Sequence, residues 1–462
     1  MAADSPSSAR SAGAAAGKEA SSGPTFFPPK QKPLMARLVQ SISYPLGRIL
    51  YKVRVSVSDE AIAKMRSVEN ARVVYVCNHP TMEDGITLFV LSARLGQLFH
   101  YIVAYEAFKG WLGWFIQRLG CYSIRRGLGD RASISQSLTI LKQPQCRLVI
   151  FPEGGCSYQN DTIMPFRSGA IQLPMSVLAQ LAKKADSPES IPDVYVVPLV
   201  LKYRYRQSMQ QVIEDMLRRL EDELKISTDS LDDYPPDDYQ LDDYPPDDRP
   251  LDDYQRLRQI ANRVILQIEN EANLSDANLS DDGVLDWNQR IDRLRQIFIK
   301  KCESAFSIEP SENLPVRERV YKVQALLEDL DLVDDGSDVD PSAKQNTVLL
   351  GPNQLKPQDV YWDTIRLLNF DAIYDGYVAE APTPERFLDT LTRLEREVFH
   401  LVDAHPKAPR QACFDVGEPL NLKAYLSDYR RDRSGTVDRL AAELRQTMQA
   451  NLDKMSSISH NS

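Results

Sequence analysis

The residues best suited to chemistry lie in the segment Asn78-His79-Pro80-Thr81-Met82-Glu83-Asp84. An apolar run at 71–77 predicts a buried strand before it, and a helix is predicted over 84–97. A histidine with a carboxylate partner can act as a general base, because the carboxylate fixes the imidazole tautomer and stabilises the imidazolium. Five residues span about 500° of a straight helix. The pair can therefore meet only if His79 precedes the helix, a break that Pro80 favours.

The same segment has a structural interpretation. Thr81 and Asp84 form a Thr-x-x-Asp pattern, which commonly caps a helix. A histidine before a helix can also belong to a simple turn. From these residues alone, a catalytic pair and a structural turn both remain open.

Three later segments carry residues that could bind a substrate. They are Gly120-Cys-Tyr-Ser-Ile-Arg-Arg126, Phe151-Pro152-Glu153-Gly154 and Val196-Val197-Pro198-Leu199. An arginine can grip phosphate through a bidentate fork, and a glycine lets a backbone N–H approach an oxyanion. Taken singly, Arg126 could form a surface ion pair and Glu153 could be a turn residue.

In this order and with these separations, the four segments resemble the motifs of the glycerolipid acyltransferase family, typified by lysophosphatidic acid acyltransferases. His79 and Asp84 match its His-x4-Asp motif, and Arg126 completes its Gly-x3-Ile-x-Arg motif. Glu153 and Gly154 belong to its Phe-Pro-Glu-Gly motif. The intervening segment 166–170 resembles its Phe-x-x-Gly-Ala, and the resemblance covers about residues 34–205.

The resemblance implies a role for each of these residues. His79 would deprotonate an acceptor hydroxyl, which attacks a thioester carbonyl, and Asp84 would orient His79. Arg126 with Glu153 and Gly154 would bind the polar head of the acceptor. A carboxylate repels phosphate, so Glu153 is expected to bind a hydroxyl or to position Arg126. Three further residues are secondary candidates for the donor side or for shaping the site: Asn78, Gly120 and Pro198.

The expected activity is transfer of a fatty acyl group from acyl-CoA or acyl-carrier protein to lysophosphatidate, giving phosphatidate in phospholipid biosynthesis. Acylation of glycerol 3-phosphate or of a non-phosphate acceptor is an open alternative, as is an inactive lipid-binding or scaffold protein. Neither a cofactor nor a nucleic-acid partner is expected. A metal is not expected either, because no His/Cys/Asp cluster has ligand spacing.

The residues after Gly154 depart from the family pattern. The family commonly continues with Thr and a cation, whereas this chain continues with Gly155-Cys156-Ser157. Arg125 and Arg167 are candidates for the missing cation, and the acceptor stays open. Cys156 could in principle act as a nucleophile, but no second histidine nearby could activate it, so a packing role is expected.

Predicted strands alternate with predicted helices along the first half of the chain. This pattern indicates an α/β layer fold, and the resemblance implies a mixed sheet flanked by helices. Expected strands are 71–77, 98–105, 121–125, 146–151 and 194–202, and expected helices are 84–97, 107–119 and 168–185.

The chain before this domain divides into two parts. Residues 1–29 read as a disordered tail. Residues 30–58 carry six basic residues and no acidic residue before position 59, with apolar residues at helical spacing. Pro45 favours two short helices over one. Such helices can pack on the core, or they can lie in a membrane interface, as a lipid substrate would favour. We expect peripheral binding at the cytoplasmic side of a membrane, with no spanning helix.

The second half is predicted to be a domain with an insertion. The acyltransferase domain is assigned to 59–205, a mainly helical insertion to 206–410, and a return strand and C-terminal helix to 411–462. Within the insertion, eleven Asp and one Arg between Asp229 and Asp253 carry a local charge equal to the chain's net charge of −10. This Asp/Pro repeat (229–254) predicts an extended linker. Val416-Gly417-Glu418-Pro419-Leu420 resembles a late family segment, which suggests a return to the sheet.

Overall fold

The computed structural model describes residues 26–226, 250–274, 279–280, 283–284, 286–311, 314–330, 349–370, 374–402 and 406–457. Most of the predicted N-terminal tail lies outside these residues. The acidic repeat also lies outside them from 229 to 249. The two predictions are wrong at their described ends, because Phe27 stacks on Phe108 and its N–H donates to Ser123, and residues 250–254 are helical. For the remaining residues they stay predictions.

Ten strands occur among the described residues. They are β1 (Val53–Val57), β2 (Arg72–Cys77), β3 (His100–Ala104), β4 (Cys121–Ile124), β5 (Arg147–Ile150), β6 (Val194–Tyr205), β7 (Leu279–Ser280), β8 (Gly283–Val284), β9 (Arg410–Val416) and β10 (Leu420–Asn421). Eight of them form one sheet in the order β1-β9-β6-β2-β5-β3-β4, with β10 paired to β6. The strands from β6 through β2, β5 and β3 to β4 are parallel, whereas β9 and β10 run antiparallel to β6. The mixed α/β sheet is as predicted.

Fourteen α-helices surround this sheet or extend from it within the described residues. They are α1 (Pro33–Leu50), α2 (Asp59–Ser67), α3 (Asp84–Leu95), α4 (Gly110–Arg118), α5 (Arg131–Lys142), α6 (Gly169–Ala182), α7 (Gln210–Leu224), α8 (Pro250–Glu271), α9 (Trp287–Ala305), α10 (Val316–Asp329), α11 (Pro357–Phe370), α12 (Pro384–Val398), α13 (Leu426–Arg431) and α14 (Arg433–Ser457). No helix in the described part of the chain has the length and apolar character needed to cross a bilayer.

Both faces of the sheet are buried, which explains the continuous apolar strands. Successive side chains of β2 point to opposite faces. Val74 and Val76 pack in the core beneath α5, α6 and α14, whereas Tyr75 and Cys77 pack in the core beneath α2 and α3. Helices α7 to α12 enclose a separate apolar core of their own. The extra helices predicted after the first domain are therefore present.

The C-terminal segment lies in the sheet, where the hypothesis of a return strand requires it. Strand β9 runs between β1 and β6, and Tyr205 at the end of β6 pairs with Arg410 at the start of β9. Helix α14 then packs on the sheet face that also carries α6. The chain leaves and re-enters the sheet at neighbouring points, on either side of the helices α7 to α12.

Two predictions for residues 30–58 were wrong. Helix α1 continues through Pro45 instead of breaking into two helices. Pro45 is on the exposed side of α1, so water can solvate the carbonyl that proline leaves without its helical donor. Residues 53–57 form β1, which pairs with β9. The sheet therefore begins before residue 59, the predicted domain boundary.

Candidate active site

Three of the predicted segments meet at one edge of the sheet. Strands β2, β4 and β5 share one direction, so their carboxyl ends point to the same edge. His79 follows β2, Arg126 follows β4 and Glu153 follows β5. Parallel α/β sheets bind ligands in this position, because the loops after the strands diverge there and leave a crevice.

His79 and Asp84 form a direct hydrogen bond. The distance from His79 Nδ1 to Asp84 Oδ2 is 2.7 Å. Asp84 opens α3, and residues 80–83 form the turn that the spacing required. The His79 side chain keeps 17% of its surface exposed, whereas that of Asp84 has none. Asp84 thus favours the tautomer protonated at Nδ1, which leaves Nε2 as the proton acceptor.

The Asp84 carboxylate is held by further donors. The Thr81 backbone N–H donates to Oδ2 at 3.0 Å, and the Thr81 hydroxyl donates to Oδ1 at 2.8 Å. The buried Tyr203 hydroxyl also donates to Oδ1, at 2.7 Å. These bonds offset the cost of burying a carboxylate. Only half of the capping pattern is present: the Thr81 backbone N–H donates to Asp84, but the Thr81 hydroxyl donates to the same carboxylate and does not cap α3.

The Phe-Pro-Glu-Gly segment contacts the histidine directly. The Phe151 ring stacks on the His79 imidazole with a centroid distance of 4.2 Å. Glu153 Oε1 accepts the His79 backbone N–H at 3.2 Å. Glu153 is 2% exposed, and this burial raises the pKa of its carboxyl to about 8, although Arg317 opposes the shift. Glu153 is therefore mostly uncharged at neutral pH, which suits a hydroxyl partner better than a cation.

Arg126 lies at the same edge, and of the two alternatives for Glu153 its contacts do not support the one in which Glu153 positions Arg126. Its Nη2 donates to Glu106 Oε1 at 2.7 Å, so Glu106 and not Glu153 positions it. Its guanidinium lies 4.6 Å from the centroid of the Tyr321 ring, on α10. Gly154 has a left-handed backbone (φ +76°), and the Arg167 guanidinium fills the space that a β-carbon there would need.

The secondary candidates occupy structural positions. Asn78 extends the pairing of β2 with β6, because its side chain exchanges two hydrogen bonds with the Leu201 backbone. Gly120 precedes β4 with φ +105°, so it lies a strand length away from the His79 edge. Pro198 lies inside β6 opposite Val76, and its ring abuts Gly417. None of these three geometries points to a contact with an acyl donor.

Cys156 is unsuited to nucleophilic attack. Burial raises the pKa of its thiol well above the ordinary value, with a smaller contribution from Asp84. The thiolate, which is the reactive form, is therefore disfavoured. In the described ranges no group of three or more His, Cys, Asp or Glu side chains is placed to hold a metal ion.

Several contacts at this edge were missed from the sequence. Arg317 of α10 donates to the carbonyl oxygens of Gly155 and Cys156 at 3.3 and 3.2 Å. Arg393 of α12 donates to those of Ser157 and Tyr158 at 3.0 and 2.7 Å. Nothing local in the sequence indicates these pairs, because they join segments more than 150 residues apart. The insertion thus holds the loop that follows Gly154.

Comparison with known proteins identifies the family of this region. Residues 54–202 match the model of a family described as Acyltransferase. The match spans β1 to β6 and includes His79, Asp84, Arg126 and Glu153. A search of curated proteins finds no match to the chain. Residues 54–202 are therefore similar to the acyltransferase family, and the helices α7 to α12 follow them in the chain.

Proposed function

We propose that the protein transfers a fatty acyl group from a thioester donor, acyl-CoA or acyl-carrier protein, to the hydroxyl of a lysoglycerolipid, with lysophosphatidate as the acceptor and phosphatidate as the product. The acyltransferase-family domain supports acyl transfer in general. The observation that carries the proposal is the 2.7 Å hydrogen bond between His79 and the fully buried Asp84.

The chemistry follows from the free nitrogen of His79. Nε2 accepts the proton of the acceptor hydroxyl while the hydroxyl oxygen attacks the thioester carbonyl. Asp84 stabilises the resulting imidazolium. The tetrahedral intermediate then collapses, the carbon–sulfur bond breaks, and the imidazolium returns its proton to the thiolate. An ester and a free thiol result, and no acyl-enzyme is required, in keeping with the disfavoured thiolate of Cys156.

A lipid acceptor also requires access to a membrane, and the orientation of α1 supports this. The helix buries small or polar residues, among them Gln40, whose amide donates to Ser92 and Gln97. Its large apolar side chains point outward, with Leu34 89% and Ile49 73% exposed. Soluble helices normally bury such residues. An outward apolar face with basic neighbours fits an interface of anionic lipids.

This apolar face adjoins both a tryptophan-rich helix and the active-site loop. The backbone N–H of Lys32 donates to the carbonyl of Arg118 at the end of α4, which exposes Trp111 and Trp114. At its other end α1 shares a small crevice with Glu83, in the turn between His79 and Asp84. We propose peripheral binding through this face, at the cytoplasmic side of the membrane.

The test is acceptor-dependent release of thiol. Wild-type protein and His79→Ala are offered acyl-CoA or acyl-carrier protein, with lysophosphatidate, glycerol 3-phosphate or monoacylglycerol. We expect release that requires lysophosphatidate and falls by about 10² or more in His79→Ala. Faster release with glycerol 3-phosphate or monoacylglycerol would reassign the acceptor. Absence of release with every acceptor, together with vesicle binding, would favour the inactive scaffold.

A further inference from the structure

Helix α10 lies directly against the two turns that carry the acceptor residues. A β-carbon at Gly127 would overlap the backbone of Tyr321 and Lys322, and one at Gly155 would overlap the Tyr321 hydroxyl. Only glycine permits these approaches. The Tyr321 hydroxyl thus occupies the space that a side chain at position 155 would fill.

Tyr321 also lies between two cations. Its ring centroid is 4.6 Å from the Arg126 guanidinium and 5.7 Å from that of Arg167. Both distances are within the range of cation–π attraction. Tyr321 is 2% exposed, so its ring is fixed in this position by packing. The Tyr321 ring therefore contacts both Arg126, which follows β4, and Arg167, which lies beside Gly154.

Of the two cations beside this phenol, Arg126 is paired with Glu106 at 2.7 Å, whereas Arg167 makes a longer contact with its carboxylate. Burial lowers the pKa of Arg167, Glu318 and Tyr321 oppose this shift, and the charges of Arg317 and Arg126 lower the pKa by smaller amounts. The only contact closer than 4 Å between Arg167 and a carboxylate of the described residues is a 3.5 Å approach to Glu318. Glu153, with its raised pKa, cannot neutralise the cluster at pH 7. Crowded cations of this kind favour a bound anion.

Two buried polar atoms at the same turn lack hydrogen-bond partners within the described chain. They are Arg167 Nη2 and Glu153 Oε2. Buried polar atoms are normally paired. Gly154 lies directly beside the Arg167 guanidinium, which occupies the space that a β-carbon there would need. A ligand that offers oxygen atoms to Arg167 and a hydroxyl to Glu153 would satisfy both.

We propose that Arg167 and Tyr321 complete, with Arg126, the binding site for a phosphate monoester on the acceptor. The acceptor site is then built jointly by the acyltransferase-family domain and the inserted helix α10. Arg167 supplies a bidentate fork, and the Tyr321 hydroxyl donates to a third oxygen. This inference rests on the proposed acyl transfer for the identity of the ligand.

Binding without turnover tests the site separately from the activity. In a His79→Ala background, calorimetry measures the affinity for glycerol 3-phosphate and for inorganic phosphate. We expect the additional change Arg167→Gln to weaken glycerol 3-phosphate binding by about 10-fold or more, since a charged hydrogen bond is lost. Arg167→Lys keeps the charge and loses less. Arg218→Gln, at an exposed position of α7, is the matched control and leaves the affinity unchanged.

Steady-state kinetics provide the second test of the proposed site. In the otherwise wild-type enzyme, Arg167→Gln should raise KM for lysophosphatidate about 10-fold with little change in kcat, and should leave KM for monoacylglycerol unchanged. Tyr321→Phe keeps the ring and removes only the hydroxyl, so it tests the site if Arg167→Gln does not fold. We expect it to weaken glycerol 3-phosphate binding several-fold.

Two results would overturn the inference. One is unchanged glycerol 3-phosphate affinity in both Arg167→Gln and Tyr321→Phe. The other is a site that binds inorganic phosphate but not glycerol 3-phosphate, which would assign it to the free anion. If wild-type protein transfers no acyl group yet the variants lose glycerol 3-phosphate, the proposed activity fails and the site remains.

Discussion

At the scale of the residue, the two buried carboxyl groups of the site, those of Asp84 and Glu153, differ in how completely their oxygens are hydrogen-bonded. Asp84 is fully buried and accepts from His79, Thr81 and Tyr203. Glu153 Oε2 is buried with no partner among the described residues, although Oε1 accepts a backbone N–H. Both oxygens of Asp84 therefore accept hydrogen bonds, whereas Glu153 keeps one oxygen without a partner in the described residues.

The burial of Glu153 predicts how the stability of the protein changes with pH. Its pKa of about 8 in the folded protein exceeds the value of about 4.3 in an unfolded chain. Between these values the unfolded chain binds fewer protons, so the free energy of unfolding falls as pH rises. Glu153→Gln removes this loss. The free energy of unfolding of the variant, relative to that of wild type, should rise by about 1 kcal/mol for each pH unit from about pH 5 to 8.

Urea unfolding of both proteins at pH 5, 6.5 and 8 measures this gain. Glu328, whose pKa is also raised to about 8, is present in both proteins and cancels in the difference. A constant difference between the two proteins across this range would show that Glu153 is ionised in the folded state.

The sequence was a good guide to the residues that act locally. The pairing of His79 with Asp84 could be predicted because five residues and a proline allow one turn geometry. Tyr203 and Tyr321 could not, since each reaches the site from a distant element through packing. The Glu106 partner of Arg126 could not be predicted either, because a four-residue helical turn after β3 brings it there.

At the scale of the element, α1 shows why hydrophobic periodicity leaves an orientation undetermined. The apolar spacing predicted helical structure correctly. It could not tell whether the apolar stripe faces the protein, and in the structure Ala36, Ser43 and Gly47 face it instead. Contacts of Gln40 with Ser92 and Gln97 fix this rotation. Strand β1 was missed because its partner β9 lies more than 350 residues away.

The outward face of α1 predicts a loss of vesicle binding on introduction of a charge. Leu38 is 67% exposed, so Leu38→Asp leaves the core intact. It removes apolar surface from the lipid contact and adds an anion that anionic lipids repel. Cosedimentation with anionic phospholipid vesicles should fall by about 10-fold or more, with the thermal midpoint unchanged. Ile134→Asp, at an exposed apolar position on α5, is the matched control. Equal cosedimentation of wild type and Leu38→Asp would remove α1 from the membrane contact.

At the scale of the whole molecule, the sheet is assembled from two distant parts of the chain. The region that matches the acyltransferase family ends before β9, which is nonetheless interior in the sheet order, between β1 and β6. The insertion in turn donates to four consecutive carbonyls after Gly154, through Arg317 and Arg393. Strand β9 thus completes the sheet, and helices α10 and α12 support the loop after Gly154. The pairing of β9 with β1 and β6 joins segments that are distant in sequence, so local sequence patterns do not predict it. The return strand could be suggested only by the resemblance of residues 416–420 to a late family segment.

This arrangement predicts that two shortened chains differ in whether they fold cooperatively. Because Tyr205 and Arg410 are paired neighbours, a short Gly/Ser linker can replace residues 206–409. That chain should retain a cooperative thermal transition, with weaker acceptor binding because Tyr321 is absent. A chain ending at residue 226 lacks β9 and α14 and should show no cooperative transition. Circular dichroism melting distinguishes the two, and a cooperative melt of the truncated chain would contradict the role assigned to β9.

The central claim is that His79 and Asp84 act as one unit in acyl transfer, and a double-variant cycle tests it most directly. Labelled phosphatidate formed from acyl-CoA and lysophosphatidate is measured for wild type, His79→Ala, Asp84→Asn and the double variant. Asn keeps the shape of the buried side chain, and circular dichroism checks the fold. We expect each single change to lower kcat/KM by about 10² or more, and the double variant to resemble His79→Ala. Product formation by His79→Ala at the wild-type rate, or losses that multiply in the double variant, would contradict the account.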